Sequence, residues 1–583
     1  MSGVEFGGPS GPPLFHACGS GEELIHEGQC ETGDAGGLCS HPVFGQWRPL
    51  VNKVLTFCDR GAEILGPFLP VAAEFSRAFA EADDLRRFQV CMHPCVRDVL
   101  GGALVAYRQG RLLESEDNHE VLHSAARALR SGEVQEVPFY GGETIGDRHH
   151  SLLLWSELWN GTSAGRHFQR LFEREIASSV SSQRAALVQP DDTYLQTLQN
   201  GYDLLSTVAP ALSESVLPHV RVICIIDYEN IHQRIGRVRT DLCQNVSTHA
   251  VPGTIFLSPS PFRSPLHAAE AILHEAAHKK LSDLVLTERI FRENYNPDDA
   301  PTVKSIWNSW LPWNTNEWSI DRALFAYHVY VYLTAFFDAV RQDVKALNAR
   351  FGIFPGIDPD AQYIGALNRA MYLDRQIRLR GQAELGVDGH ALMEWLQCQL
   401  EYWVRRDEPP APDLILWLDR YDRDTKELTK VLRMLPEDKA DRGDWTPDAQ
   451  YEGWPLRRTV CHLIHSEIVG AYRVLSVLGG SIPPQLPFYD GERWSALASA
   501  SLPFKSLAEI FSAVRSFTSA TLRSAGPAAA NMSFKTRRPK VLLELVGDMV
   551  EHAQRHMAQL LGASSLRECD GDEDMEGIPA WKR

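Results

Sequence analysis

Ala269-Glu270-Ala271-Ile272-Leu273-His274-Glu275-Ala276-Ala277-His278-Lys279-Lys280-Leu281 is the stretch from which the fold and the chemistry of this chain are read. Ala268, Ala269, Ile272, Ala276, Leu281 and Leu284 recur at helical spacing, and Pro265 stands where a helix would begin, so a helix is predicted over 265–287. Within it, His274-Glu275-Ala276-Ala277-His278 is an HExxH sequence. Residues four apart share one face of a helix, so both imidazoles can reach a single ion. Two histidines and a carboxylate among alanines and leucines are costly to bury unless they are paired or ligating.

Two chemistries use such a pair. A zinc peptidase holds the metal with both histidines and a downstream Glu or His, and the HExxH glutamate activates water. A non-haem iron oxygenase holds iron on one face and keeps the opposite face open. The downstream candidates for a third ligand are Glu288, Glu293, Glu317 and His328. Leu281 and Leu284 occupy positions where the HExxHxxGxxH form needs Gly and His, so that form is excluded. His328 falls in the apolar run Arg322-Ala323-Leu324-Phe325-Ala326-Tyr327-His328-Val329-Tyr330, predicted as a helix.

Outward from this stretch, residues 1–45 are rich in Gly, Ser and Pro and are expected to be a disordered leader. Residues 46–406 read as mostly helical, with clear periodicity in 64–80, 194–215, 265–287, 320–346 and 388–404. Val220-Arg221-Val222-Ile223-Cys224-Ile225-Ile226 and Gly253-Thr254-Ile255-Phe256-Leu257-Ser258 are β-type runs expected to form a small sheet beside the following helix. Residues 407–412 hold Pro409, Pro410 and Pro412 and are predicted as a linker. Four helical patterns follow within 413–563, at about 413–435, 455–478, 504–525 and 538–562, the pattern of a four-helix bundle. An acidic tail, 564–583, ends the chain. The expected fold is mainly α: a helical HExxH metal domain with a small β element, then a bundle.

A chain of 583 residues is too long for one core, in keeping with two domains. The net charge of -17 disfavours nucleic acid and anionic lipid as partners. No unbroken apolar run of about 18 residues is found and no secretory signal is read, so no membrane span and a cytoplasmic location are expected. Eleven scattered cysteines then read as mostly free thiols, not a disulfide framework. Cys91 and Cys95 flank His93 but lack a second pair at zinc-ribbon spacing.

The run 253–258, the helix 269–281, then Pro312-Trp313, Arg322 and His328 resemble the HExxH-type, 2-oxoglutarate-dependent peptide β-hydroxylases associated with ribosomally made, modified peptides. The resemblance covers roughly residues 50–400. It implies iron(II), 2-oxoglutarate and dioxygen, and hydroxylation at Cβ of a residue in a precursor peptide. It maps His274 and His278 to metal ligands, with His328 the candidate third. Arg322 would receive the distal carboxylate of 2-oxoglutarate, a task that suits a guanidinium fork. Glu275 would orient a ligand or water instead of serving as a peptidase base. Trp307, Trp310, Trp313, Trp318, Tyr327 and Tyr330 are candidates to wall the pocket.

A second constellation lies in the bundle. Trp454-Pro455-Leu456-Arg457-Arg458-Thr459-Val460-Cys461-His462-Leu463-Ile464-His465-Ser466-Glu467 precedes Glu551-His552-Ala553-Gln554-Arg555-His556. His552 and His556 are four apart, and His462 on a facing helix would complete three imidazoles suited to Zn, Ni or Fe. This pattern, over about 413–563, resembles the DinB-like superfamily, whose metal triad maps to His462, His552 and His556. Some of that superfamily transfer low-molecular-weight thiols. His465 departs from the pattern, standing where the family often has Asp.

The resulting expectation is an iron(II)- and 2-oxoglutarate-dependent peptide hydroxylase with a second divalent metal, Zn or Ni, in the bundle. A zinc metallopeptidase and a non-catalytic, metal-stabilised peptide-binding protein are the alternatives.

Overall fold

The chain is described from a computed structural model. It describes residues 35–564 except 112–115, 132–138, 140–141, 148–149, 178–183, 230–249, 259–263, 308–316, 353–357, 408–411, 442–453, 481–493, 495–501, 527–528, 531 and 536–538. Of the leader expected to be disordered over 1–45, residues 1–34 lie outside the described residues, but Ala35–Ser40 is a helix and Leu38 and Phe44 are buried, because their apolar side chains pack into the core. The prolines 409 and 410, the tail after Ser564, Trp310 and Trp313 also lie outside the described residues. By internal contacts the described residues form two compact units: those up to Pro301 with Ser319–Asp407, and Thr302–Trp318 with those after Asp407.

In the first unit, helices α1 (Trp47–Leu65), α2 (Pro94–Arg108), α3 (Asp192–Val208), α4 (Pro265–Thr287), α5 (Ile320–Gln342), α6 (Pro359–Arg380) and α7 (Val387–Asp407) are the long framework elements. A small sheet is made of β1 (Thr144–Gly146), β2 (Ser151–Leu154), β3 (Arg184–Val188), β4 (Val222–Glu229) and β5 (Thr254–Leu257). The two β-type runs of the sequence pair in parallel, Val222 opposite Thr254 and Ile225 opposite Leu257. The other strands are short, and β2 carries three consecutive leucines instead of an alternating pattern, so periodicity does not mark them. β5 leads into α4 and packs against it.

Ser264 caps α4, its Oγ accepting from the His267 backbone N–H, and Pro265 occupies the first turn where no N–H is needed. α4 is buried on nearly every side, between α3, α5 and β5, which explains its run of alanines. Gly201 of α3 is what admits it: a Cβ there would stand 2.5 Å from the Ala268 Cβ. α5 is long and apolar enough by composition to cross a membrane, but 78% of its apolar window is buried within the fold, as in a core helix.

The second unit is built on α8 (Pro412–Met434), α9 (Leu456–Leu478), α10 (Phe504–Ala525) and α11 (Leu542–Ser564). The strands β6 (Val303–Lys304) and β7 (Glu317–Trp318) pair antiparallel, with Val303 opposite Trp318. The sequence reading placed this segment with the HExxH domain; its contacts are with the bundle. Lys304 pairs with Glu551 and lies 5.7 Å from the centre of the Trp417 ring, and Arg423 donates to the Trp307 carbonyl. Trp307 and Trp318 pack edge to face within the bundle unit.

The core of the bundle is divided in two. One apolar cluster joins Leu428, Leu432, Val460, Leu463, Phe511 and Met557. The other joins Leu414, Leu418, Val474, Leu522, Val546 and Val550. Between the spans of the two clusters fall Asp424 on α8, Glu467 on α9, Arg515 on α10 and His552 on α11, whereas His462, Gln554 and His556 are flanked by members of the first cluster and Arg420 by members of the second.

Candidate metal centres

His462 projects from α9, and His552 and His556 from successive turns of α11. Their ligating nitrogens all lie within 4.8 Å of one another, and among the described residues this is the group of three acidic, thiol or imidazole side chains that meets that spacing. The Nε2 atoms of His462 and His552 are 3.3 Å apart. His556 Nδ1 lies 2.8 Å from Gln559 Oε1, which accepts only if that nitrogen carries the proton; this leaves the lone pair on Nε2. Burial, with the neighbouring His556 and His462, holds the His552 pKa down at about 2. The ring is neutral at any ordinary pH, as a ligand must be. The Trp454 ring meets His462 edge-on, and Arg458 lies 4.0 Å from the Trp454 ring centre. His465 is outside the triad, against Trp494. Three imidazoles from two helices make a donor set that fits a borderline divalent ion and leaves positions open.

The layer next to the triad is charged. Arg420 Nε donates to Asp424 at 3.1 Å, and Gln554 Nε2 donates to the same carboxylate at 2.8 Å. The Tyr421 hydroxyl donates to Glu467 at 2.8 Å. Arg515 stacks 3.6 Å from the Tyr421 ring centre, its Nε 3.6 Å from Glu467. Burial raises the Glu467 carboxyl, and the Arg515 charge opposes the rise.

On α4 the half-buried positions Glu270, His274 and His278 form one stripe, four residues apart. The ring centres of His274 and His278 are 5.0 Å apart. Burial and the Arg369 charge hold His274 at about 4, and burial with the nearby His274 and His328 depresses His278. Phe325 stacks on His278 at 5.9 Å. Arg322, exposed on the same helix as Phe325, is among the charges that act on His278. Arg369 of α6 donates to the Tyr330 hydroxyl at 3.4 Å, lies 5.3 Å from the centre of that ring, and acts on both Glu270 and His274. Burial raises Glu270 to about 7.

The opposite sides of α4 hold a buried charge network. Glu275 is 3% exposed; its Oε1 is 4.0 Å from His274 Nε2, and its charge acts on Lys279. Lys279 donates to the Val251 carbonyl at 2.7 Å. Lys280 donates to the Gly45 carbonyl, Ser215 Oγ and the Tyr332 hydroxyl. Asp283 pairs with Arg97 and accepts from His219 Nδ1 at 2.7 Å. His328 belongs with this core side. It is fully buried, its ring centre 4.7 Å from that of Tyr332, and near enough to Lys280, His219 and the Ala277 backbone to feel them. As placed, His274, His278 and His328 do not gather to the spacing of the bundle triad. The reason is rotational: His328 meets α4 on the face of Ala277 and Lys280, one position round from His278.

The other third-ligand candidates are elsewhere. Glu288 caps the end of α4 and pairs with Lys53. Glu293 is exposed, and Glu317 accepts from Thr302 in the bundle unit. Arg369 and Glu270 are the residues that sequence reasoning missed. Glu270 had a signal, its place one turn before His274; Arg369 had none. His93 is buried and caps α2, accepting from the Cys95 backbone N–H, and Cys91 and Cys95 are buried thiols.

No curated protein matches the chain. The family model of the DinB superfamily matches residues 420–560, the span that carries the three histidines, so the C-terminal bundle is a DinB-superfamily domain.

Proposed function

We propose that the bundle binds a divalent transition-metal ion through His462, His552 and His556. The observation that supports this most directly is the mutual 4.8 Å spacing of three imidazole nitrogens inside a helical core. The ion would act there as a Lewis acid with open positions for a small ligand. The residues of the chain do the rest: Gln559 holds the His556 tautomer, and the apolar cluster that flanks His462 and His556 keeps the site dry. Metal content of the full-length protein, before and after His552→Ala and His556→Ala, tests the assignment. Unchanged stoichiometry in both variants would overturn it.

We infer a second function for α4: an iron(II)- and 2-oxoglutarate-dependent hydroxylase acting on a peptide. Two features favour it over a zinc peptidase. Glu275 shares its charge with Lys279 in the core, where it is poorly placed as a base. Arg322 and Arg369 set two cations near the histidine pair, which suits a dianionic keto acid. His274 and His278 would hold the iron, and Arg369 joins Arg322 as a candidate to position the co-substrate. Succinate release that needs iron, 2-oxoglutarate and His274, with a peptide gaining one oxygen by mass, tests the reading. Peptide cleavage without co-substrate would replace it with the peptidase.

A further inference from the structure

Two arginines in the bundle are as buried as any residue in the chain: Arg420 is 1% exposed and Arg515 0%. A guanidinium is a planar, charged fork of five N–H donors. Their internal partners use only part of what they offer. Arg420 engages Asp424 through Nε, and Arg515 approaches Glu467 through Nε while its flat face covers Tyr421. Neither Nη atom of either guanidinium has a hydrogen-bond partner among the described residues. A buried charged donor left unmade is among the costliest features a core can hold. The carboxylates in the layer are already engaged, Asp424 by Arg420 and Gln554, Glu467 by the Tyr421 hydroxyl.

The position is equally informative. Arg420 adjoins Tyr421 of one apolar cluster, and Arg515 lies on α10 between Phe511 of the other cluster and Leu522. Gln554, bonded to Asp424, shares α11 with His552 and His556, and the Arg515 charge acts on His552. Four unused Nη atoms, two of them on the arginine whose charge acts on His552, describe an anion-binding end for a site whose metal-binding end is the triad. An acceptor-only group satisfies forked donors without needing donors for its own protons; a carboxylate does this bidentately, and water does not.

We propose that Arg420 and Arg515 form the pocket for the carboxylate of a small organic acid whose other end reaches the His462–His552–His556 centre. The metal end of this site rests on the metal reading above; the anion end stands on the arginines alone.

The test uses the full-length protein loaded with Co(II) and a series of ω-mercapto acids, mercaptoacetate through 6-mercaptohexanoate, each beside its primary amide. The thiolate serves as a reporter through its charge-transfer band with cobalt. At one chain length the acid is expected to bind about tenfold or more tighter than the amide. Arg420→Met and Arg515→Met should each bring acid and amide to within about twofold while amide binding persists, which reports a folded bundle. Calorimetry of the same pairs on metal-free protein separates the two ends. Cobalt bound at the triad with acid and amide equal at every length overturns the pocket and leaves the metal centre. An acid preference by calorimetry with no cobalt bound supports the pocket and overturns the metal centre. Equal binding with no cobalt overturns both. The wild-type comparison decides the matter even if a methionine variant fails to fold.

Discussion

His462 and His552 bring their Nε2 atoms to 3.3 Å across two helices of the bundle, ninety residues apart in sequence. Two neutral ring nitrogens at that separation must share a proton or a cation, since two lone pairs facing each other repel. On the proposed reading a divalent ion fills that space and also takes His556. Replacing His552 or His556 with Ala should weaken Zn(II) or Co(II) binding at the bundle by roughly 100-fold or more. Competition titration with a chromophoric chelator measures it. Chelation of the wild-type protein should also lower the melting temperature of the bundle.

The depressed pKa of His552 sets a pH dependence of metal-free stability. The folded ring stays neutral down to about 2, whereas an unfolded histidine takes a proton near 6.5. Below about 6.5 the unfolded chain therefore binds the extra proton, and stability falls as pH falls. The slope from this residue is at most about 1.4 kcal/mol per pH unit. Urea unfolding of the metal-free protein at pH 7, 6 and 5 should show the decline, and His552→Gln should make it shallower by about one proton. An unchanged slope in the variant would contradict the neutral, buried ring.

In the first unit, His274→Ala should abolish iron binding at α4 and any succinate formation, and His556→Ala should spare both. His328→Leu is the discriminating companion. Because His328 faces the Lys280 side of α4, its loss should change iron affinity by less than about threefold, although it leaves a packing fault beside Tyr332. Loss of iron in His328→Leu would restore it as a ligand.

Asp283 anchors two buried partners, Arg97 and His219. Asp283→Ala strands the Arg97 guanidinium without its counter-charge and should cost about 3–5 kcal/mol. Asp283→Asn, which keeps the shape but not the charge, should cost most of that. Chemical denaturation monitored by the tryptophans of the first unit reads the difference.

Gly201 lets α3 touch α4, two turns before His274. With a Cβ placed 2.5 Å from Ala268 Cβ and 2.9 Å from the Ala269 backbone nitrogen, Gly201→Ala should destabilise the unit by about 1–3 kcal/mol. It should also shift α4 enough to weaken metal binding at His274 and His278. Full retention of both would show that α3 can move aside.

Relations within one helix were legible in the residues alone. The helical turn sets them, so the shared face of His274 and His278, the shared face of His552 and His556, and even the place of Glu270 follow from counting residues. The bundle helices and the extended form of the two β-type runs follow from equally local patterns. What crosses between elements was decided only by the packed structure. His328 and His462 looked alike as third imidazoles on second helices; the rotation of each helix about its axis brings His462 to its pair and turns His328 into the core. The same dependence on side-chain fit across distant segments places Arg369 beside His274, sends Thr302–Trp318 to the bundle, and closes Arg420 and Arg515 into one buried layer.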